Sequence, residues 1–188
     1  MSPVRARRFV SSEAELDEAR TTAKLQACPH CGRVGTLIGH GMLWGYAERH
    51  ARERVVRGRR LLCSNRYRNR GCGRTLSIWL ETVMIGFVVR ARTLSSFVSK
   101  VTEGQTRKAA WESVANGSLS LGSGYRLWQR LVQAQPELRT RLSGAVPAPP
   151  CSSKEPWAQL LAHFRLVLPG ADCLFGRFQS WFQAALFS

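Results

Sequence analysis

Four of the six cysteines in this sequence are spaced as the ligands of a metal ion. Cys28 and Cys31 form a CxxC pair, Cys63 and Cys72 form a second pair, and a glycine directly follows each pair. Glycine in that place accepts the tight turn of a metal knuckle, in which backbone N–H groups point at the sulfur atoms. Four thiolates surround Zn²⁺ tetrahedrally and leave no open coordination position. The spacing therefore predicts one structural zinc ion bound by these four cysteines.

The second cysteine pair is wider than the usual zinc-ribbon knuckle. Eight residues separate Cys63 from Cys72, and three of them are arginines, Arg66, Arg68 and Arg70. We interpret this insertion as a basic finger attached to the metal site, where positive charge favours the anionic thiolate centre.

The remaining candidates for metal ligands are weaker. His30 lies inside the first knuckle, where we expect it to pack or to face solvent, and His40 and His50 have no spacing that matches the cysteines. Cys151 lies in a proline-rich segment and Cys173 in the apolar tail. We expect both to be ordinary free cysteines.

Positive charge is concentrated in the middle of the chain. The 188 residues include 28 Lys plus Arg and 12 Asp plus Glu, a formal net charge of +16. Residues 27–80 carry a net charge of +9 and residues 81–142 a net charge of +5, whereas each end carries +1. A uniform codon preference for arginine does not produce such a gradient. The distribution therefore predicts a polyanion as the partner.

Composition and periodicity divide the chain into five segments and predict an α+β fold. A capping box at Ser12 and Glu15 predicts a helix over 13–26 in the leader. The fold would consist of a small three-stranded zinc ribbon, a helix-turn-helix unit and a short tail of amphipathic helices. The segments are a leader (1–26), the ribbon with a basic hairpin (27–81), the helix-turn-helix domain (90–142), a proline-rich linker (143–156) and the helical tail (157–188).

The predicted ribbon joins two long strands into a basic hairpin. We expect strands over 36–46, 54–63 and 74–80. Trp44 and Tyr46 lie on this hairpin, and we expect their side chains in the small core, with stacking on bases as the alternative. The arginines expected to contact nucleic-acid phosphates are Arg49, Arg52, Arg54, Arg57, Arg59, Arg60, Arg66, Arg68 and Arg70.

Helical periodicity over residues 93–142 predicts a helix-turn-helix unit. Thr93 and Thr106 are the expected N-caps of its first two helices, and the third would end before Pro136. The helices are expected over 94–103, 107–115 and from 123 or 124 to about 135. The third helix would contact bases and phosphates, and a plain three-helix scaffold is the alternative. The candidate contacts are Arg107, Lys108, Ser123, Tyr125, Arg126, Gln129 and Arg130.

The apolar periodicity of the tail predicts two amphipathic helices, which Pro169 and Gly170 separate. Their apolar stripes begin at Trp157 and Leu174 and recur at helical spacing. We expect these helices to pack on the preceding domain. The alternative is an interface with a transposase or recombinase partner or with a second copy of the chain.

With these motifs, residues 28–135 resemble the zinc-ribbon leader of bacterial insertion-sequence proteins, which are transposases and their small regulatory partners. The resemblance rests on Cys-Pro-x-Cys-Gly at 28–32, on a second pair that ends in Cys-Gly-Arg-Thr at 72–75, and on the helix-turn-helix pattern that follows. It implies a metal ion at the four cysteines and binding to DNA at the ends of the element. The wide second pair departs from the family pattern, and the residues after 143 have no counterpart in it.

Known catalytic patterns do not fit the sequence. A carboxylate transposase needs three acidic residues for two metal ions, but the only aspartates are Asp17 and Asp172, one in each near-neutral end. The His-x-His of a nickase and the His-x-Glu of a zinc deaminase do not occur. We therefore expect a DNA-binding protein of a mobile element rather than an enzyme. An RNA-binding or ribonucleoprotein-assembly adaptor is the alternative, because charge alone does not separate the two nucleic acids.

The sequence also indicates where such a protein would work. Residues 11–18 are polar and acidic where a signal peptide needs an apolar stretch, and the apolar run 83–89 is too short to span a membrane. We expect a cytoplasmic, nucleoid-associated protein, in which reduced cysteines are available for a metal.

Overall fold

A computed structural model describes residues 6–49, 52–66, 68, 70–115, 117 and 119–187. Within these residues the chain forms four strands and six α-helices. The strands are β1 (Ala6–Val10), β2 (Leu37–Tyr46), β3 (Arg54–Cys63) and β4 (Thr75–Leu80). The helices are α1 (Glu13–Thr21), α2 (Ala91–Thr102), α3 (Arg107–Ala115), α4 (Leu121–Ala145), α5 (Pro156–Val167) and α6 (Leu174–Phe182). Across this described part of the chain, none of the helices has the length and apolar character of a membrane span.

The strands form one mixed sheet in the order β1-β4-β3-β2. Strands β2, β3 and β4 pair antiparallel, as the sequence predicts for the ribbon. The prediction of three strands is wrong, because β1 adds a fourth that pairs in parallel with β4, from Ala6 opposite Leu76 to Val10 opposite Leu80. The sequence carries no local signal for that pairing, since the two strands are far apart in the chain and no hairpin turn joins them.

Helix α1 begins as predicted and ends early. Ser12 accepts a hydrogen bond from the Glu15 N–H at its hydroxyl oxygen, 3.2 Å away, and the Glu15 carboxylate reaches back to the Ser11 N–H. The side-chain and backbone hydrogen bonds from Ser11 lower the pKa of Glu15. The helix ends at Thr21, and a single 3-10 turn follows it, so the predicted helix over 13–26 is too long. Helix α1 packs against β3 and β4.

Two hydrophobic cores form, one under the sheet and one among the helices. The sheet core is mainly aliphatic and includes Leu61 and Ile78 together with two of the cysteines. The helical core joins side chains from α2 to α6 and is rich in aromatic rings. Trp157 and Phe175 of the tail lie inside it. The apolar stripes of the tail are thus mostly covered by the chain's own helices, with Trp181 on α6 left exposed.

The tail also contacts the sheet. The Gln183 side chain, just after α6, accepts a hydrogen bond from the Phe9 N–H and donates one to the Phe9 carbonyl oxygen, at 2.8 and 3.0 Å. The buried Gln179 side chain donates to the carbonyl oxygens of Glu81 and Val83. These contacts hold β1 and the segment that leads into the helical unit (α2 to α6) against α6.

Helix α4 differs most from its prediction. It runs from Leu121 to Ala145 through Pro136, whereas the sequence predicted an end before that proline and a linker from residue 143. A proline inside a helix costs about 3 kcal/mol, because it removes one hydrogen bond and crowds the preceding turn. Leu138 and Leu142, two and six residues after this proline, are fully buried in the helical core. Their burial offsets that cost and carries the helix onward.

Candidate metal centre and nucleic-acid surface

The four predicted cysteines converge on one point. All four Sγ atoms lie within 4.8 Å of one another. The Cys28 and Cys72 sulfurs are 3.8 Å apart, and the Cys31 and Cys63 sulfurs are 3.7 Å apart. A tetrahedral site with metal–sulfur bonds of about 2.3 Å has sulfur–sulfur edges of about 3.8 Å. Two of the sulfur–sulfur distances match this edge, and the arrangement could therefore hold one metal ion.

The two knuckles share the same hydrogen bonds. In the first, the Gly32 N–H donates to the Cys28 carbonyl oxygen at 2.8 Å, and the Cys28 N–H donates to the Arg33 carbonyl oxygen at 3.0 Å. In the second, Gly73 donates to Cys63 and Cys63 donates to the Arg74 carbonyl oxygen, both at 2.9 Å. The glycines have φ of 71° and 74°, in the left-handed region that favours glycine. The second knuckle keeps this geometry despite its longer sequence.

The insertion in the second knuckle loops out at its base. The Gly71 N–H donates to the Ser64 carbonyl oxygen at 2.9 Å, which closes the loop before Cys72. A Cβ on Gly71 would lie 2.1 Å from that same oxygen, so only glycine allows the closure. The Cys72 N–H is then free to point at the Cys63 sulfur, 3.2 Å away. The finger between these points carries Arg66, Arg68 and Arg70, all of them exposed.

Burial and hydrogen bonds act differently on two of the thiols. Burial raises the pKa of Cys28 to about 11. Burial also acts to raise the pKa of Cys63, but hydrogen bonds from the Thr36 hydroxyl, the Cys72 N–H and the neighbouring thiols outweigh it and lower that pKa to about 7. A metal ion on this site would bind thiolates, so its binding would release the remaining protons.

The other candidate ligands lie apart from the centre. The His30 Nε2 atom is 3.2 Å from the Thr75 carbonyl oxygen, so this ring ties the first knuckle to β4. His40 is exposed on β2, and His50 lies outside the described residues. Cys151 and Cys173 are free cysteines, as predicted. Burial raises the pKa of Cys173, whose sulfur accepts the Gly176 N–H at the start of α6.

Two of the predicted hairpin arginines have structural partners. Arg57 is the extra residue of a β-bulge, is 93% buried, and donates to the Met84 carbonyl oxygen at 3.1 Å. Burial lowers its pKa. Arg59 is largely buried and forms an ion pair with Asp17 of α1. Neither side chain lies on the open surface, whereas the other seven predicted hairpin and finger arginines are exposed: Arg49, Arg52, Arg54, Arg60, Arg66, Arg68 and Arg70.

The expectation that Trp44 and Tyr46 are buried is wrong. Their exposed fractions are 49% and 52%. The sheet core is filled instead by aliphatic residues and by α1, which covers only part of the sheet.

Most of the predicted helix-turn-helix residues are exposed on α3 and α4. Arg107 and Lys108 are exposed at the start of α3, and the Arg107 guanidinium lies 5.1 Å from the centre of the Trp128 ring. Thr106 caps this helix, as predicted, by accepting the Ala109 N–H. On α4, Tyr125, Arg126, Gln129 and Arg130 are exposed and Ser123 is half-buried. An open cleft of about 740 Å³ runs between part of this face and the loop 86–89.

Sequence reasoning missed a residue that joins the β2–β3 hairpin to helix α2. Glu48, at the end of the β2–β3 hairpin, accepts a hydrogen bond from the Arg90 N–H at 2.8 Å and another from the Thr93 hydroxyl at 2.9 Å. Thr93 is therefore not the predicted N-cap. Helix α2 begins at Ala91, and Glu48 caps it from outside. A signal existed, since Glu48 is one of two acidic residues in the basic segment 27–80.

Comparison of the chain with protein-family models, with curated proteins and with solved structures gives no match. The functional argument therefore depends on the metal centre, the exposed arginines and the outer face of α4.

Proposed function

We propose that this protein binds DNA, with a structural zinc ion at the four cysteines and with the base sequence read by α4. The observation that carries the proposal is the division of α4 into two faces. Leu127 and Leu131 lie in the helical core, while Arg126, Gln129 and Arg130 face an open cleft. A helix anchored on one side and polar and basic on the other matches the recognition helix of a helix-turn-helix in the major groove.

Zinc is the metal that suits the donor set. Soft thiolate ligands select zinc, copper(I) or iron, and four thiolates at tetrahedral spacing are typical of structural zinc sites. With four protein ligands the ion would hold the two knuckles together and would leave no position for a substrate. The metal would then support binding, and we expect no reaction at this centre.

Helix α4 carries side chains suited to base edges. Arg126 and Gln129 are three residues apart, so they share a helix face. Arginine pairs with guanine and glutamine with adenine in the major groove, and each pair discriminates against the wrong base. Arg107 and Lys108, at the start of the neighbouring helix, would contact phosphates beside the groove.

The exposed arginines of the sheet unit (α1 and β1 to β4) would attract DNA without sequence preference. Between Arg54 and Leu80 the sequence holds eight arginines and no acidic residue. Glu48 fixes the hairpin to α2, so the basic surface and α4 keep one relative orientation. The resemblance to insertion-sequence proteins makes the ends of a mobile element the first duplexes to test, and the nucleoid the expected place of action.

The test is selection from a pool of random duplexes, followed by titration of two variants of α4. Arg126→Ala should cost about 1–3 kcal/mol on the selected duplex and much less on random DNA. Arg141→Ala is the matched control, because Arg141 lies on the same helix and is paired with Glu137. The control should bind both duplexes as the wild type does.

Two results would contradict the proposal. If the selection enriches no sequence, α4 does not recognise a base sequence. Structured RNA that outcompetes every duplex would favour the RNA-binding adaptor instead.

A further inference from the structure

The β2–β3 hairpin carries an aromatic surface that no described element covers. Met42, Trp44 and Tyr46 lie at alternate positions of β2, with exposed fractions of 42%, 49% and 52%. Alternate residues of a strand point to the same face and lie about 7 Å apart. These three side chains therefore form a row along one face of the sheet.

The row is uncovered because the contact of α1 with the sheet does not extend along the whole of β2. Met42 is opposite Arg59 in the sheet, and Arg59 is paired with Asp17 of α1. The helix thus reaches the sheet at this point. Trp44 and Tyr46 lie farther along the hairpin, opposite Val56 and Arg54.

The surface around the row is cationic. The Arg54 guanidinium lies 5.5 Å from the centre of the Trp44 ring. Arg20, Arg59 and Arg60 line a cleft of about 310 Å³ that begins at Met42. Two nearby carboxylates are already engaged, Asp17 with Arg59 and Glu48 with the start of α2.

We propose that this face binds single-stranded nucleic acid, with unpaired bases stacked on Trp44 and Tyr46 and phosphates held by Arg54 and by Arg20 of α1. Aromatic rings on a sheet bind bases in this way without strong sequence preference, because every base has a π-face. Bases inside a duplex are already stacked on their neighbours and cannot present that face. A second copy of the chain is disfavoured on this surface, because the approaching arginines would repel one another.

This inference rests on the proposed function in one respect, that the partner is a nucleic acid, and it adds a site distinct from α4. A protein with both sites could hold a duplex and an adjacent unpaired segment at once. That arrangement suits DNA in which strands are opened next to a recognised sequence.

The test compares single strands with a duplex on matched variants. The probes are a fluorescent oligothymidine and an oligouridine of about 12 nucleotides each and a duplex of the same length. The double variant Trp44→Leu, Tyr46→Leu should bind both single strands at least about tenfold more weakly, because each stacked base contributes substantially, and should bind the duplex within about twofold of the wild type. The matching Phe variants keep the rings and should retain single-strand binding.

The matched control is Trp181→Leu. Trp181 on α6 has an exposed fraction of 58% and lies outside the hairpin, so its loss should leave binding to every probe unchanged. Zinc content and circular dichroism of each variant establish that it is folded. A preference for oligothymidine would indicate DNA as the source of the unpaired bases, a preference for oligouridine RNA, and either agrees with the site.

Three outcomes separate the inference from the proposed function. A wild type that binds the duplex but no single strand, or a leucine variant with unchanged single-strand binding, would overturn the inference alone. A wild type that binds single strands through these rings but selects no duplex sequence would overturn the reading role of α4 alone. Self-association that disappears in the leucine variant would make this face a contact between copies and would overturn the inference.

Discussion

The sheet unit and the helical unit are stabilised in different ways. Among the described residues, the sheet core is a cluster of 12 buried residues, mainly aliphatic, and two of them are the cysteines Cys28 and Cys63. In the same part of the chain, the helical core is a cluster of 23 buried residues, with ring contacts that run from Phe97 through Trp128 and Trp157 to Phe175. A core as small as the first would depend on a metal ion at the four cysteines, whereas the second contains enough apolar surface to fold by packing.

Removal of the metal should produce the largest effect and should unfold the sheet unit while the helical unit stays folded. A chelator should unfold the knuckles and loosen β2 to β4, because structural zinc contributes about 10–16 kcal/mol of apparent binding free energy. Helices α2 to α6 should keep their protection. Hydrogen exchange resolved by segment, before and after chelation, measures both.

Substitution of single cysteines tests which of them bind the metal ion. Elemental analysis should find one zinc ion per wild-type chain; Cys63→Ser should lose it, and Cys151→Ser, at an exposed cysteine far along the chain, should keep it. Equal zinc content in the two variants would contradict the four-cysteine site.

The helical unit should respond to packing rather than to metal. A Cβ on Gly124 would lie 2.6 Å from Cγ of Trp111, so Gly124→Ala should destabilise this unit by about 1–3 kcal/mol through overpacking. Gly122→Ala, on the same helix, meets its nearest atom at 3.9 Å and should be neutral or slightly stabilising. Thermal unfolding of both variants checks the pair, and equal effects would mean that α4 does not cross α3 at Gly124.

The Glu48 carboxylate carries the contact between the β2–β3 hairpin and the start of α2. Glu48→Gln should cost about 1–2 kcal/mol, because the amide can accept only one of the two hydrogen bonds from Arg90 and Thr93. Faster hydrogen exchange at the start of α2, with unchanged zinc content, would report this loss. Glu53→Gln, at the other glutamate of the hairpin segment, is the control and should leave that exchange rate unchanged.

The basic finger should have the smallest effect on stability. Replacing Arg66, Arg68 and Arg70 together by alanine should leave unfolding unchanged, because all three side chains are exposed. If they contact phosphates, the slope of log affinity against log salt on duplex DNA should become shallower by about 2–3 units. An unchanged slope would remove the finger from the DNA surface.

The local features were predictable where residue type and spacing decide the structure. Cysteine spacing identified the four cysteines that cluster, and the Thr106 cap and the break at Pro169 identified helix ends. The unpredicted features depend on contacts between distant segments. Strand β1 forms only because β4 offers an edge, and α4 continues through Pro136 only because the tail helices bury the residues beyond it.

The same distinction between local pattern and distant contacts applies to the roles of individual side chains. Sequence identified the arginine-rich hairpin but could not show which arginines are buried, since a β-bulge turns Arg57 inward and α1 supplies a partner for Arg59. It could not show that Trp44 and Tyr46 remain exposed, because that depends on where α1 stops covering the sheet.

The most direct measurement is the ratio of affinities for a selected duplex and a scrambled duplex, taken on two variants across a range of salt. Arg126→Ala should reduce the ratio about tenfold or more and leave the salt slope nearly unchanged. The triple finger variant should lower both affinities equally and keep the ratio. The opposite result would be an Arg126→Ala variant that lowers both affinities equally and a finger variant that changes the ratio. That result would contradict the account in which α4 recognises the base sequence and the sheet unit contacts the phosphates.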